Sequence, residues 1–261
     1  MNDALPTPFD VRLMNATATM LFAACAVLLV AAGAWWALRH PLFALGGITV
    51  QGDVTHNNAA TLRANVAPRV AGNFFTLKLD AARQTFESVP WVRRAEVRRE
   101  FPNRLRVVLQ EHQPVAFWGA EGDSTLVNSF GEVFEANVGD VEQDDLPRLS
   151  GPRAESAQVL AMYRLLAPLV EPLDLAVEEL ELTGRGSWHL TLDNAAQVEL
   201  GRGTPDDVAA RAQRFVKTLT QVASIHGRRA EALLSADLRH TDGYAVRLRG
   251  VSTTGADAKK K

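Results

Sequence analysis

The sequence predicts an α+β protein: a single N-terminal transmembrane helix, a small β-α-α-β-β unit, and a C-terminal mixed β domain with two helices. Three observations carry that reading. Residues 13–38 hold no charged side chain, residues 48–109 pass from strand to helix periodicity and back, and beyond Trp118 short strands recur with two helical windows among them. These patterns decide the class because strand side chains alternate between faces while helical ones return to a face about every 3.6 residues.

The first element is the run LMNATATMLFAACAVLLVAAGAWWAL, 26 residues long, where about 20 suffice to carry a helix across the hydrocarbon core. Trp35 and Trp36 stand near one end, as interfacial anchors do. Ala32-Gly33-Ala34 also fits the small-residue pattern before a signal cleavage, but the run exceeds a typical signal core and tryptophans follow the site, so a retained anchor is expected. Arg12 and the α-amine on one side, against Arg39 on the other, tip the positive-inside rule toward a cytoplasmic N-terminus. Cys25 lies within the run and residues 39–261 contain no cysteine. That region must therefore rest on its core, and at its length two domains are favoured over one.

In the first of these, Ile48 and Val50 mark a strand ending at Gly52-Asp53. Either Asn58 or Thr61 opens a helix through Val66, and Asp80 caps another over Ala81 to Glu87. VRRAEVRREFPNRLRV then packs six arginines into sixteen positions, 92–107. With a period of two, Ala95, Val97 and Phe101 share one face, while Arg94, Glu96, Arg98 and Glu100 share the other. Leu105, Val107 and Leu109 alternate likewise with Arg106, Val108 and Gln110, and Phe101-Pro102-Asn103-Arg104 supplies a turn. The arginines are thus read as the solvated outside of a β-hairpin, paired with glutamates. A nucleic-acid grip is set aside because the net charge is −2, without the excess of cations that attracts a polyanion.

The region from Pro114-Val115-Ala116-Phe117-Trp118 onward reads as short strands at Thr125 to Asn128, Val133-Phe134, Glu179 to Leu182, Trp188 to Leu192, Gln197 to Leu200, Ala232 to Arg239 and Tyr244 to Arg249. A helix from about Ser156 to Leu169 carries Val159, Tyr163, Leu166 and Val170 on one stripe. Another opens at Thr204-Pro205-Asp206-Asp207, a cap followed by proline and two acids, and stops by Gly227.

Chemistry is not signalled. His40, His56, His112, His189, His226 and His240 show no metal-ligand spacing, and no thiol lies beyond the helix. Nucleophile elbows and phosphate loops are missing. Gly184-Arg185-Gly186 and Gly201-Arg202-Gly203 are too short to mean more than turns. Glu178-Glu179, Asp144-Asp145 and Asp206-Asp207 read as solvent-facing, loop and helix-start acids. The expectation is a non-enzymatic protein with no cofactor, no metal, no nucleic acid and no small-molecule substrate.

In order along the chain, ITVQGD, NFFTLKLD, VPWVRRAEVRREFPNRLRVVLQEHQPVAFW, LVNSFGEVFE, LPRLSGP, VELGR and ADLRHTDGYAVRL resemble the pattern of the FtsQ/DivIB family of bacterial cell-division proteins. The resemblance implies a cytoplasmic segment over 1–12, a transmembrane helix over 13–38, a POTRA domain over 46–115 and a β domain over 116–250. Residues 251–261 are read as a disordered tail, small, polar and basic at its end. It further implies an inner-membrane divisome scaffold at the septum, with periplasmic domains that bind FtsB and FtsL and help position septal wall synthesis. A membrane-anchored, chaperone-like POTRA protein acting in export or outer-membrane assembly is the rival, but such proteins carry tandem POTRA units or a long barrel, for which this chain has no room.

Carried over by the resemblance, the partner surface falls on Arg239, His240, Asp242, Gly243, Tyr244, Val246, Arg247 and Leu248, with Arg202 nearby. A last strand at a sheet edge leaves backbone groups onto which a partner adds a strand. Many relatives have tyrosine after Asp-Leu-Arg where this chain has His240, which implies a smaller and pH-sensitive contact there. The competing reading of Tyr244 and Val246 is plain sheet core, and of Arg202 a solvated strand-end charge.

Overall fold

The computed structural model describes residues 9–57, 59–70, 72–137, 139, 141, 146–240 and 243–251. Asn58, Asp144, Asp145, Asp242 and the tail beyond 251 lie outside the described residues, as do residues 1–8. The chain divides into two compact units, one ending at Glu111 and the other beginning at His112.

Helix α1 spans Phe9–Leu38, is 30 residues long and buries none of its side chains. Its mean hydropathy reaches 2.2 over its most apolar window, long and apolar enough to cross a membrane. It starts four residues before the uncharged run because Asp10 and Arg12 end the apolar segment without ending the helix.

In the first unit β1 (Gly47–Gly52), β2 (Val92–Glu100) and β3 (Arg104–Glu111) form a sheet of order β1-β3-β2. β1 runs parallel to β3, and β2 antiparallel to it. Helices α2 (Ala59–Val66) and α3 (Leu79–Glu87) contribute Leu62, Val66, Ala82 and Phe86 to a core closed by Ala95, Leu105, Val107 and Leu109. The alternation of β3 is strict, with Leu105, Val107 and Leu109 buried between exposed neighbours. Gly52 is required where it stands. Its φ is +97°, and a Cβ there would lie 2.2 Å from the Leu109 carbonyl oxygen.

Three local expectations are corrected. α2 already includes Thr61, so that residue does not cap it. α3 begins at Leu79 after an N-cap at Lys78 with no side-chain cap bond, leaving Asp80 in the first turn, where its charge still meets the positive end of the helix. Phe101 is 76% exposed rather than on the buried face, because the chain is already turning there and the period of two has lapsed.

The solvated reading of the arginines holds. Arg106 bonds Glu100 at 2.6 Å and Arg98 pairs with Glu96. Arg99 instead donates through Nε to the Phe74 carbonyl and through Nη2 to that of Leu77, both at 2.7 Å. At the far end of β3 the buried Glu111 carboxylate accepts from the backbone N–H groups of His56 and Asn57 and from Asn57 Nδ2, each at 3.0 Å. The His56 ring, 3.1 Å from the same carboxylate, stacks on Trp91 at 3.9 Å.

The second unit is built on a nine-stranded mixed sheet of order β12-β11-β10-β9-β8-β7-β4-β5-β6. Its strands are β4 (Pro114–Trp118), β5 (Thr125–Asn128), β6 (Val133–Glu135), β7 (Arg148–Ser150), β8 (Val177–Leu182), β9 (Trp188–Leu192), β10 (Gln197–Gly201), β11 (Leu233–Asp237) and β12 (Ala245–Leu248). β7 has no counterpart in the sequence reading. With three residues it is too short to display alternation, and it is a strand only because β4 and β8 flank it in parallel.

Helix α4 (Ser156–Val170) packs on β7 and β8, helix α5 (Pro205–Ile225) on β10, and the two helices touch. Val159, Leu166 and Val170 are buried as the stripe requires, joined by Leu160 and Met162, while Tyr163 is half-buried. Thr204 caps α5 as expected: its hydroxyl accepts from Asp207 N–H while the Asp207 carboxylate accepts from Thr204 N–H at 3.0 Å. The Thr204 hydroxyl, donating to the Asp207 carboxylate at 2.7 Å, and the Thr204 N–H beside it hold that carboxyl below its ordinary pKa. Leu149, Leu180, Leu192, Leu200 and Leu219 are fully buried between sheet and helices, each contributing about 2 kcal/mol by removal from water.

Candidate functional site

β12 is the last strand of the sheet and pairs on one side only, antiparallel to β11, with Ala236 opposite Val246 and Asp237 opposite Ala245. On its outer side the N–H and C=O groups directed away from β11 meet no strand among the described residues. Such a row of groups is a template for a further strand. The expected alternation holds: Leu248 is buried and Tyr244 and Val246 half-buried, whereas Ala245, Arg247 and Arg249 are exposed.

Tyr244 serves the core as well as the edge. Its ring stands edge-on to Phe215 at 5.2 Å, and its hydroxyl lies 2.6 Å from Thr218 Oγ1, both partners being on α5. The end of the sheet is thereby fastened to the helix. Thr218 was not singled out from the sequence, where a threonine inside a helix gives no sign of a partner 26 residues away.

At one end of β8 to β11 the chain gathers basic side chains. Arg185, Arg202, Arg211, Arg239 and His189 line an open depression of about 720 Å³ between the β8–β9 turn and the start of α5. Two of them are committed to holding the backbone or a neighbour. Arg211 donates to the Leu200 carbonyl at 3.0 Å and the Arg202 carbonyl at 2.6 Å. Arg239 forks onto Asp237, Nε to Oδ1 at 2.9 Å and Nη2 to Oδ2 at 2.6 Å. That fork lowers the Asp237 pKa to about 2. His189 sits 3.3 Å from Glu199. Arg185 and Arg202 make no ion pair among the described residues, so their guanidinium groups stay available to carboxylates.

The residues carried over from the resemblance are therefore only partly brought together. Arg202 and Arg239 share the depression, because Gly201 at φ +77° leaves room for Arg239, whose Cγ would lie 2.9 Å from an added Cβ. Tyr244, Val246 and Leu248 face inward from β12 and Arg247 outward. His240 and Gly243 are exposed in the β11–β12 connection, and Asp242 lies outside the described residues. Arg185 and Arg211 join the depression although the sequence reading passed them over. Arg185 stands in the turn between β8 and β9, where no pattern in the sequence marks it.

A three-stranded sheet backed by two helices, set after a membrane-length apolar helix, defines a POTRA-bearing protein with a separate C-terminal β unit. Residues 43–112 match the POTRA domain of the FtsQ type, and residues 116–239 match the C-terminal region of cell division protein FtsQ/DivIB. The chain is 41% identical over 254 residues to the cell division protein FtsQ of Burkholderia pseudomallei, covering 97% of this chain and 99% of that protein. It is 38% identical to that of Bordetella pertussis, with 92% of each covered. With that of Thiomonas arsenitoxydans it shares 37% identity over 95% of this chain and 91% of the relative. The chain belongs to the FtsQ/DivIB family of cell-division proteins. The C-terminal family match ends at Arg239, so β12 lies beyond it.

Proposed function

We propose that the chain is a non-enzymatic, bitopic divisome scaffold whose β12 edge receives a strand from FtsB, with FtsL bound in the same assembly. Its N-terminal segment lies in the cytoplasm and both units in the periplasm, at the septum. There it links early and late division proteins and bears on septal wall synthesis. The observation that carries this reading is the one-sided pairing of β12, which leaves backbone donors and acceptors directed outward. Strand addition satisfies those groups directly, and alternate side chains then set specificity. Arg202, carried over by the resemblance, and Arg247, an exposed cation on the strand itself, suit acidic side chains of the added segment.

The test is capture of the periplasmic segment of FtsB by the full-length detergent-solubilised chain, beside Tyr244→Pro and Arg202→Glu. Proline disturbs the edge geometry and removes a donor, so binding is expected to fall by more than about tenfold, and by a smaller factor for Arg202→Glu. A Tyr244→Pro protein with native circular dichroism that binds as the parent does overturns strand addition.

A further inference from the structure

We propose that the membrane-near end of the first unit is a lipid-docking surface, whose aromatic rings rest in the headgroup layer of the bilayer that α1 spans. The inference rests on reading α1 as the membrane anchor. Leu42 and Phe101 are 75% and 76% exposed, and Phe75 is 41% exposed. Phe75 and Phe101 flank one aromatic cluster built on the buried Phe74: ring centroids lie 4.9 Å apart for Phe43 and Phe75, 5.2 Å for Phe74 and Phe75, and 6.4 Å for Phe74 and Phe101. A phenylalanine exposed in the β2–β3 turn contributes nothing to the core, and contiguous exposed apolar surface marks an interaction site.

Covalent geometry says what that surface meets. Phe43 follows the last residue of α1 by five positions, so it lies within about 18 Å of the helix end even with the chain fully extended. The other two segments are fastened to the chain at that point. Phe74 N–H donates to the Phe43 carbonyl at 2.8 Å, Leu45 N–H to that of Gly72 at 3.0 Å, and Gly46 N–H to that of Asn103 at 2.9 Å. Arg99, forked onto the Phe74 and Leu77 carbonyls, holds the 74–77 loop against β2.

Charge points the same way. Residues 39–46, 72–79 and 101–104 include Arg39, Lys78 and Arg104 and no aspartate or glutamate. Rings at the level of the headgroups with cations beside them match an interface containing anionic phospholipid. Trp35, with the Arg39 guanidinium 4.2 Å over its ring, continues the same belt on the helix.

The full chain is reconstituted in phosphatidylethanolamine and phosphatidylglycerol vesicles and labelled with a fluorophore at one cysteine at a time. The sites are native Cys25, or Thr76→Cys or Gln110→Cys in a Cys25→Ser background. Gln110 lies six residues along β3 from Arg104, roughly 20 Å away. With nitroxide on the lipid headgroups, position 76 is expected to be quenched roughly twofold more than position 110, and Phe75→Ser/Phe101→Ser to abolish the difference. Quenching at 76 that survives in the folded double variant, or in Phe101→Ser alone should the double variant lose structure, reports the tether only and overturns docking. So does equal quenching at 76 and 110 while Cys25 is quenched by nitroxide at mid-chain. A Cys25 label untouched by mid-chain nitroxide overturns the anchor itself, and docking with it.

Discussion

Two hairpins of this molecule end in edge strands rich in arginine or bordered by it, and they treat their charges in opposite ways. In β2–β3 the edge strand β2 carries six charged residues in nine. Arg98 and Arg106 are ion-paired, and Arg99 closes two loop carbonyls. A charged edge is how soluble sheets discourage further pairing. In β11–β12 the edge strand carries one charge in four residues, and Arg247 makes no ion pair among the described residues. The edge proposed as receptive thus differs from the guarded one in charge density, one charge in four residues against six in nine.

The largest expected effect tests how the guarded hairpin is held. Glu111→Ala leaves the Asn57 amide and two backbone N–H groups without their acceptor, and should lower the stability of the first unit by about 3 kcal/mol in a urea titration. An inward charge on the receptive edge comes next. Val246→Lys should weaken FtsB capture by about tenfold. Val50→Lys on β1, the uncharged edge of the first sheet, should leave capture unchanged if β12 is the partner edge; the reverse result would break the contrast.

A smaller effect follows from the Asp237–Arg239 fork. Because the folded pKa of Asp237 is lowered from 3.8 to about 2, the stability it contributes is fully present above pH 3.8 and is lost as pH falls through about 2. The Asp237 carboxyl resonance should titrate near 2, and return toward its ordinary value in Arg239→Gln. Smallest of all, Arg98→Glu with Arg106→Glu should change stability by less than about 0.5 kcal/mol, since exposed ion pairs contribute little. Partner capture should be unchanged; its loss from the folded variant would make the hairpin a binding surface.

Much of the architecture was legible because burial writes itself into sequence at fixed periods. The uncharged run over 13–38, the alternation of Leu105, Val107 and Leu109, and the Thr204-Pro205-Asp206-Asp207 start of α5 each reflect constraints within a few residues of chain. Phe101 and Asp80 show where that reasoning stops: a turn suspends the period, and a helix can begin one residue ahead of its best cap.

Sequence alone thus determined the long apolar helix, the two-part α+β order and the alternation of the final strand, since these follow from local side-chain chemistry. Tertiary structure decided that β7 is a strand, that Tyr244 is fastened to Thr218, that Arg185 and Arg202 face one depression, and that Phe43, Phe74, Phe75 and Phe101 form one cluster. Each of those depends on groups distant along the chain becoming neighbours. That proximity is set by sheet order and by backbone hydrogen bonds that nearly every residue type can make, so no side-chain pattern records it.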